Sequence, residues 1–203
     1  MRGEVIVVRY ADDAVLGFEH KDEAERFLRE VRERLAKFGL ELHPEKTRLI
    51  EFGRFAATNR EKRGEGKPET FDFLGFTHIC GKNRKTGYFE VKRKTVKKRM
   101  RAKLQAIKAE LRRRMHEPKA VTGEWLESVV RGYFQYHAVP GNMGSLNLFR
   151  EKLARLWRHA LRRRSEAHKP NWRQLRGLFN RWLPRPCILH PFPSLRFDAR
   201  HPR

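Results

Sequence analysis

The stretch Val5-Ile6-Val7-Val8-Arg9-Tyr10-Ala11-Asp12-Asp13-Ala14-Val15-Leu16-Gly17-Phe18 constrains the fold more than any other part of the chain. A β-branched run enters two adjacent aspartates and a second apolar run leaves them, which is the pattern of strand, tight turn and returning strand. Asp suits such a turn because it tolerates left-handed backbone angles and can bond its own backbone. The hairpin then holds two carboxylates side by side at its tip. A divalent cation relieves their repulsion, and hard oxygen ligands suit Mg²⁺, which keeps several waters and completes its shell with substrate phosphates. Two such ions form the two-metal clamp of polymerases and nucleases. Taken alone, a solvent-facing Asp-Asp turn without function reads the same. The Val/Ile-rich strand leading into it is what a site held on a rigid support would show.

Tyr10-Ala11-Asp12-Asp13 resembles the catalytic motif of reverse transcriptases, in the form found in group II intron reverse transcriptase/maturases. The resemblance implies an RNA-directed DNA polymerase, a nucleotidyltransferase with Asp12 and Asp13 as catalytic metal ligands for Mg²⁺ and Tyr10 and Ala11 completing the active-site hairpin.

Charge divides the chain. Its 203 residues carry 47 Lys+Arg against 24 Asp+Glu, a net charge of +23. Residues 1–90 hold 18 basic and 17 acidic side chains, while residues 91–203 hold 29 and 7. A near-neutral part followed by a strongly basic one suggests a chemistry module joined to a polyanion-binding module. A basic run is often only a solvated helix face, but an imbalance this large costs stability through self-repulsion unless a partner neutralises it. The two cysteines, Cys80 and Cys187, make no disulfide framework and no zinc spacing. No apolar run approaches membrane-spanning length and the N-terminus has no signal-peptide pattern. These features predict a soluble, intracellular protein that meets nucleic acid and no membrane.

Along the chain, residues 21–37 read as an amphipathic helix with Ala24, Phe27, Leu28, Val31, Leu35 and Phe38 on one face, stopped by Gly39. It is expected to brace the hairpin. Residues 40–47, Leu-Glu-Leu-His-Pro-Glu-Lys-Thr, are as readily an ordinary charged turn as a functional loop. They resemble the next palm motif of the same family, which implies a catalytic Lys46 approaching the leaving pyrophosphate as cation or proton donor. Residues 48–52 read as a strand, and residues 54–70 as a mobile loop whose least ordered part is 60–68. Phe71-Asp72-Phe73-Leu74-Gly75-Phe76 begins a second hairpin, with a turn over 82–87 and a return over 88–91. Taken alone it is a plain core hairpin. It resembles the family's primer grip, which assigns that role to Phe73, Leu74 and Gly75.

From Lys92 onward the chain reads as long basic helices. Val96, Met100, Leu104, Ile107, Leu111 and Met115 form one stripe. Thr122 is a plausible N-cap for a second helix carrying Trp125, Leu126, Val129, Val130, Tyr133 and Phe134, and Ser145 for a third carrying Leu146, Phe149, Leu153, Leu156, Trp157 and Ala160. Asn171 starts a fourth, with Trp172, Leu175, Phe179 and Trp182 inward. Lys92, Arg93, Lys94, Lys97, Lys98, Arg101, Arg131, Arg162, Arg163 and Arg164 are the candidate RNA-binding cations, with those between 92 and 103 expected around one helix.

Residues 131–142, Arg-Gly-Tyr-Phe-Gln-Tyr-His-Ala-Val-Pro-Gly-Asn, resemble the heart of the maturase-specific domain, domain X, which serves as the polymerase thumb. Trp182-Leu183-Pro184, Ile188-Leu189-His190-Pro191 and Arg196-Phe197 resemble the end of bacterial members. The resemblance implies an α+β chain: residues 1–91 as the C-terminal part of a palm built from antiparallel hairpins plus a helix, 92–183 as a helical thumb, and 184–203 as a Pro-rich basic tail. The implied partners are group II intron RNA and an RNA/DNA primer–template, and the implied setting is bacterial cytoplasm, close to the nucleoid when DNA is engaged. The third carboxylate of the two-metal site and the fingers find no counterpart, since Glu4 is the one acid before the hairpin and sits on the same strand. That gap implies a C-terminal piece, from a truncated gene, an incomplete gene model or a split enzyme with a separate N-terminal half, and inactive alone. The rival readings are a non-catalytic RNA-binding splicing cofactor with relic aspartates and, more weakly, a reverse transcriptase of another lineage such as a retron.

Overall fold

The computed structural model describes residues 2–164 and 170–192. Arg196 and Phe197 of the tail lie outside them. The chain divides into two compact units between Phe73 and Leu74. That boundary differs from the 91/92 division expected from sequence, and the second hairpin goes with the helices.

The first unit opens with strands β1 (Val5–Tyr10) and β2 (Asp13–Phe18), antiparallel with Val5 opposite Phe18 and Tyr10 opposite Asp13. Helix α1 (Lys21–Ala36) follows. It stops where expected: Gly39 takes φ 68, and the Gly39 and Leu40 amides donate to the Ala36 and Leu35 carbonyls, a Schellman closure that a Cβ would strain. Phe27 of α1 meets Phe18 of β2 at 5.3 Å between rings, so the helix does brace one end of the hairpin. Phe38, placed on the helix's apolar face by sequence, lies past its end and is exposed.

Two expectations fail in the next segment. Residues 48–52 form no strand, because no partner strand supplies their hydrogen bonds among the described residues. Residues 54–70 are not one long loop: Ala56–Lys62 forms helix α2, with Ala56 buried. Charge pairing organises the segment. Arg63 pairs with Glu51 and Glu65, Arg60 with Glu65, and Asn59 donates to Glu51 at 2.8 Å. These contacts hold the Glu51 and Glu65 carboxyls below the usual range, chiefly through the Arg63 hydrogen bonds. The unit ends in the short strand β3 (Phe71–Phe73).

The second unit begins with the antiparallel hairpin of β4 (Phe76–Lys82) and β5 (Phe89–Thr95). Helices α3 (Lys97–Arg113), α4 (Lys119–His137), α5 (Met143–Arg162) and α6 (Trp172–Trp182) follow. The four apolar stripes read from sequence converge on one core, with Leu126, Val130, Leu146, Phe149, Leu153 and Leu183 fully buried and Trp157 nearly so. Tyr133 stacks on Phe149 at 3.7 Å between ring centres. A Cβ on Gly123 would lie 2.6 Å from the Trp182 ring, so only glycine admits this approach of α4 and α6.

Helix starts differ from expectation. α4 begins at Lys119, after Pro118, and Thr122 sits inside it with its hydroxyl donating to the Pro118 carbonyl. α5 begins at Met143 rather than at Ser145. Asn171 does cap α6, in a reciprocal capping box with Gln174. The tail is tied down as far as residue 190: Arg150 donates to the Leu183 and Pro184 carbonyls, and the Leu189 amide to that of Ala138.

Candidate functional site

The turn of the first hairpin consists of Ala11 and Asp12, closed by the Tyr10–Asp13 pair. The left-handed residue is Ala11, at φ 52, and not an aspartate as the sequence suggested. That conformation costs a non-glycine residue about 1–2 kcal/mol. Arg9 Nε donates to the Ala11 carbonyl at 2.9 Å and steadies the loop. Asp12, Asp13 and Tyr10 are exposed, with Tyr10 and Asp13 opposite one another on one face. Two free carboxylates on a short turn suit a hard divalent cation that keeps most of its waters. Among the described residues no set of three or more His, Cys, Asp and Glu gathers into a complete cage.

Lys46 lies on a turn in which its own amide and that of Thr47 donate to the His43 carbonyl at 3.2 and 2.9 Å. Its side chain is exposed, and no ion pair joins it to Asp12 or Asp13 among the described residues.

Leu74, at φ 46, is the other positive-φ residue apart from glycines among the described residues. Both strained positions therefore fall inside motifs singled out from the sequence, and strain of this kind concentrates at functional sites. Gly75 follows at φ 80. The turn is held from the helices: Tyr136 Oη donates to the Leu74 carbonyl at 2.7 Å and the Val96 amide to that of Gly75 at 3.0 Å. A Cβ on Gly75 would sit 3.4 Å from Arg99 Nη1 and 3.6 Å from the Tyr136 ring. Phe76 stacks on Tyr136 at 5.7 Å and meets His137 edge-on at 5.3 Å. Burial, with Arg99 nearby, pushes His137 down to about 4, so its ring is neutral at pH 7. Burial raises the Tyr133 phenol to about 12.

Asn142 completes this assembly. Its side chain is wholly buried, accepts from the Thr95 amide at 3.0 Å, and donates to Thr95 Oγ1 and the His137 carbonyl, both at 2.8 Å. It joins the end of β5 to the α4–α5 turn. Tyr136, His137 and Asn142 all belong to the segment 131–142 quoted from the sequence, yet no periodicity showed that it packs on the Leu74-Gly75 turn. Phe73, the remaining primer-grip candidate, ends β3 in the first unit.

The candidate RNA-binding cations separate by environment. Lys92, Arg93 and Lys94 are on strand β5, opposite Ile79, His78 and Thr77, and not on a helix. The cations around 92–103 therefore do not share one helix. The Lys92 stem lies over Gly81, and burial draws the half-buried Arg93 guanidinium below its usual range. Lys94, Lys97, Lys98, Arg101, Arg162 and Arg163 are exposed. Arg131 is exposed but pairs with Glu127. Arg164 is a structural residue, its guanidinium bonded to the Met115 and Glu117 carbonyls. The first turn of α3 carries cations and no acid, which opposes the helix dipole. No helix among the described residues is long and apolar enough to cross a membrane.

Residues 1–78 match the family model of reverse transcriptase (RNA-dependent DNA polymerase). The match supports a reverse transcriptase. Within it lie the exposed Tyr10-Ala11-Asp12-Asp13 turn, Lys46 and the Leu74-Gly75 turn. Reverse transcriptases use Mg²⁺ and bind RNA and primer–template generally, in keeping with a two-carboxylate turn followed by a basic unit. The helical part beyond residue 78 lies outside the match. No curated protein matches the chain.

Proposed function

We propose that the chain is the end of the palm and the thumb of a group II intron reverse transcriptase/maturase, serving Mg²⁺-dependent DNA synthesis on RNA. The observation that carries this reading is the strained, exposed Tyr10-Ala11-Asp12-Asp13 turn inside the reverse transcriptase match. Asp12 and Asp13 would hold Mg²⁺, which when bound activates a primer 3′-hydroxyl and stabilises departing pyrophosphate. Lys46 supplies positive charge or a proton to that leaving group. The Leu74-Gly75 turn, clamped by Tyr136, presents backbone to the primer. The exposed apolar faces of β1 and β2, with Ile6 and Tyr10 both 64% exposed, suit cover by further palm structure bearing the third carboxylate.

Primer extension on an RNA template with Mg²⁺ tests the reading. The expected result is no synthesis by this chain alone, and synthesis when a polypeptide supplying fingers and the remaining palm is added. Robust extension by the pure chain contradicts it. The incomplete carboxylate set among the described residues favours, as second reading, an RNA-binding splicing cofactor; splicing assistance without synthesis in the complemented mixture would select it.

The basic unit is expected to bind structured RNA mainly through phosphates. If it neutralises on the order of five, log affinity falls against log salt with a slope of about −4 to −5, at roughly −0.9 per phosphate. Lys97, Lys98 and Arg101 are exposed and carry no ion pair among the described residues. Their joint change to Ala is expected to flatten the slope by up to about 3 without melting α3, Ala being the best helix former. An unchanged slope across a salt titration contradicts a phosphate role for these three.

A further inference from the structure

We propose that the cavity between α5 and α6 binds one unpaired nucleotide of single-stranded RNA. The proposal rests on the reading of the helical unit as an RNA-binding surface and adds a site to it. The cavity measures about 610 Å³ and is lined by Glu151, Arg155, Arg158, His159, Arg162 and Trp172. Steps of three and four residues place Arg155, Arg158 and Arg162 on one face of α5. Glu151 is the single acid in the lining and is paired with Arg155. The walls therefore carry surplus positive charge.

Trp172 supplies the second element of recognition. Sequence periodicity placed this ring in the core, but it is 44% exposed. Phe179 braces it edge-on at 5.7 Å and the Arg158 guanidinium lies 4.9 Å over it. Arg158 Nε is buried with no hydrogen-bond acceptor among the described residues. The Arg158 guanidinium covers one face of the ring, so a base stacks on the part of the ring left exposed while the cations take the phosphate. An unpaired base can reach the exposed ring, whereas a duplex hides its base faces by stacking.

The test uses the full chain, a short unstructured oligouridylate carrying one 5-iodouridine, and a blunt RNA duplex as comparison. Irradiation is expected to cross-link the single strand to Trp172, located by mass spectrometry. Trp172→Leu is expected to weaken single-strand binding roughly 5- to 150-fold, from about 1–3 kcal/mol per stacked base, with duplex affinity held within about twofold. Should that variant melt early, the exposed pair Arg155→Ala with Arg162→Ala replaces it, and must weaken the single strand more than the duplex. Cross-linking elsewhere, unchanged single-strand affinity, or a parallel fall for both RNAs overturns the proposal. Salt-dependent duplex binding with no Trp172 effect removes this site alone, whereas failure of the wild-type chain to bind either RNA removes the RNA-binding reading as well.

Discussion

Asp12→Asn is expected to reduce kcat for DNA synthesis by the complemented polymerase about 10²–10⁴-fold. A catalytic cation contributes several kcal/mol of charge stabilisation in the transition state, and each 1.36 kcal/mol is tenfold in rate. The substitution keeps the size of the side chain and an oxygen acceptor of a turn-forming residue type, so the hairpin survives it. RNA affinity should stay within about twofold, because the cations are concentrated beyond residue 90 while the hairpin lies in the near-neutral part. Asp13→Asn should behave alike. Single-turnover extension with saturating RNA separates the two quantities; retention of synthesis within tenfold would show that these carboxylates are not the cation's ligands.

Asn142→Leu is expected to destabilise the second unit by about 3–5 kcal/mol. The side chain is fully buried and makes three hydrogen bonds. Leucine fills a similar volume but leaves the Thr95 amide and hydroxyl without that partner, at about 1–3 kcal/mol for each group left unsatisfied in the interior, while the His137 carbonyl keeps the Val139 amide. Set against a typical stability of about 5–15 kcal/mol, the loss is large. Arg131→Ala, at an exposed surface pair, should cost less than about 1 kcal/mol. Urea melts followed by helical circular dichroism compare the two. Equal midpoints for Asn142→Leu and wild type would mean the Thr95–Asn142–His137 link carries no weight.

The helical unit was legible because each helix buries a stripe that repeats at three and four residues, and the same residues of α3, α4 and α5 form its core. The Asp-Asp hairpin was legible from composition, apolar runs on both sides of two turn-forming aspartates, and not from a buried stripe, since its strands are mostly exposed. What escaped depends on partners remote in sequence. β5 runs to Thr95 because Lys92, Arg93 and Lys94 pair across to β4 and Asn142 holds Thr95, while the composition of that stretch resembles the start of a basic helix. Residues 48–52 have strand-like composition and no neighbour to pair with among the described residues. α2 carries no apolar period, its order coming from Arg60 and Arg63 meeting Glu51, Glu65 and Glu69. The helix starts differ because α4 begins directly after Pro118 and α5 directly after Asn142, whose side chain bonds Thr95 and His137 instead of capping the helix. Of the candidate site, the aspartates and the Leu74-Gly75 turn were visible as local motifs, but the clamp from Tyr136 and the bonds of Arg164 to the Met115 and Glu117 carbonyls were not, because their partners are remote in sequence.

Cation binding at the first hairpin tests the central claim most directly, since it needs neither a partner polypeptide nor turnover. Mn²⁺, a paramagnetic substitute for Mg²⁺, is titrated into the isotopically labelled chain while amide resonances are followed. Selective broadening of residues 11–14 ahead of the other acidic stretches, lost in Asp12→Asn, is the predicted result. Uniform broadening over all exposed acids, or the same broadening in Asp12→Asn, would contradict the assignment of this turn as the cation site of a polymerase.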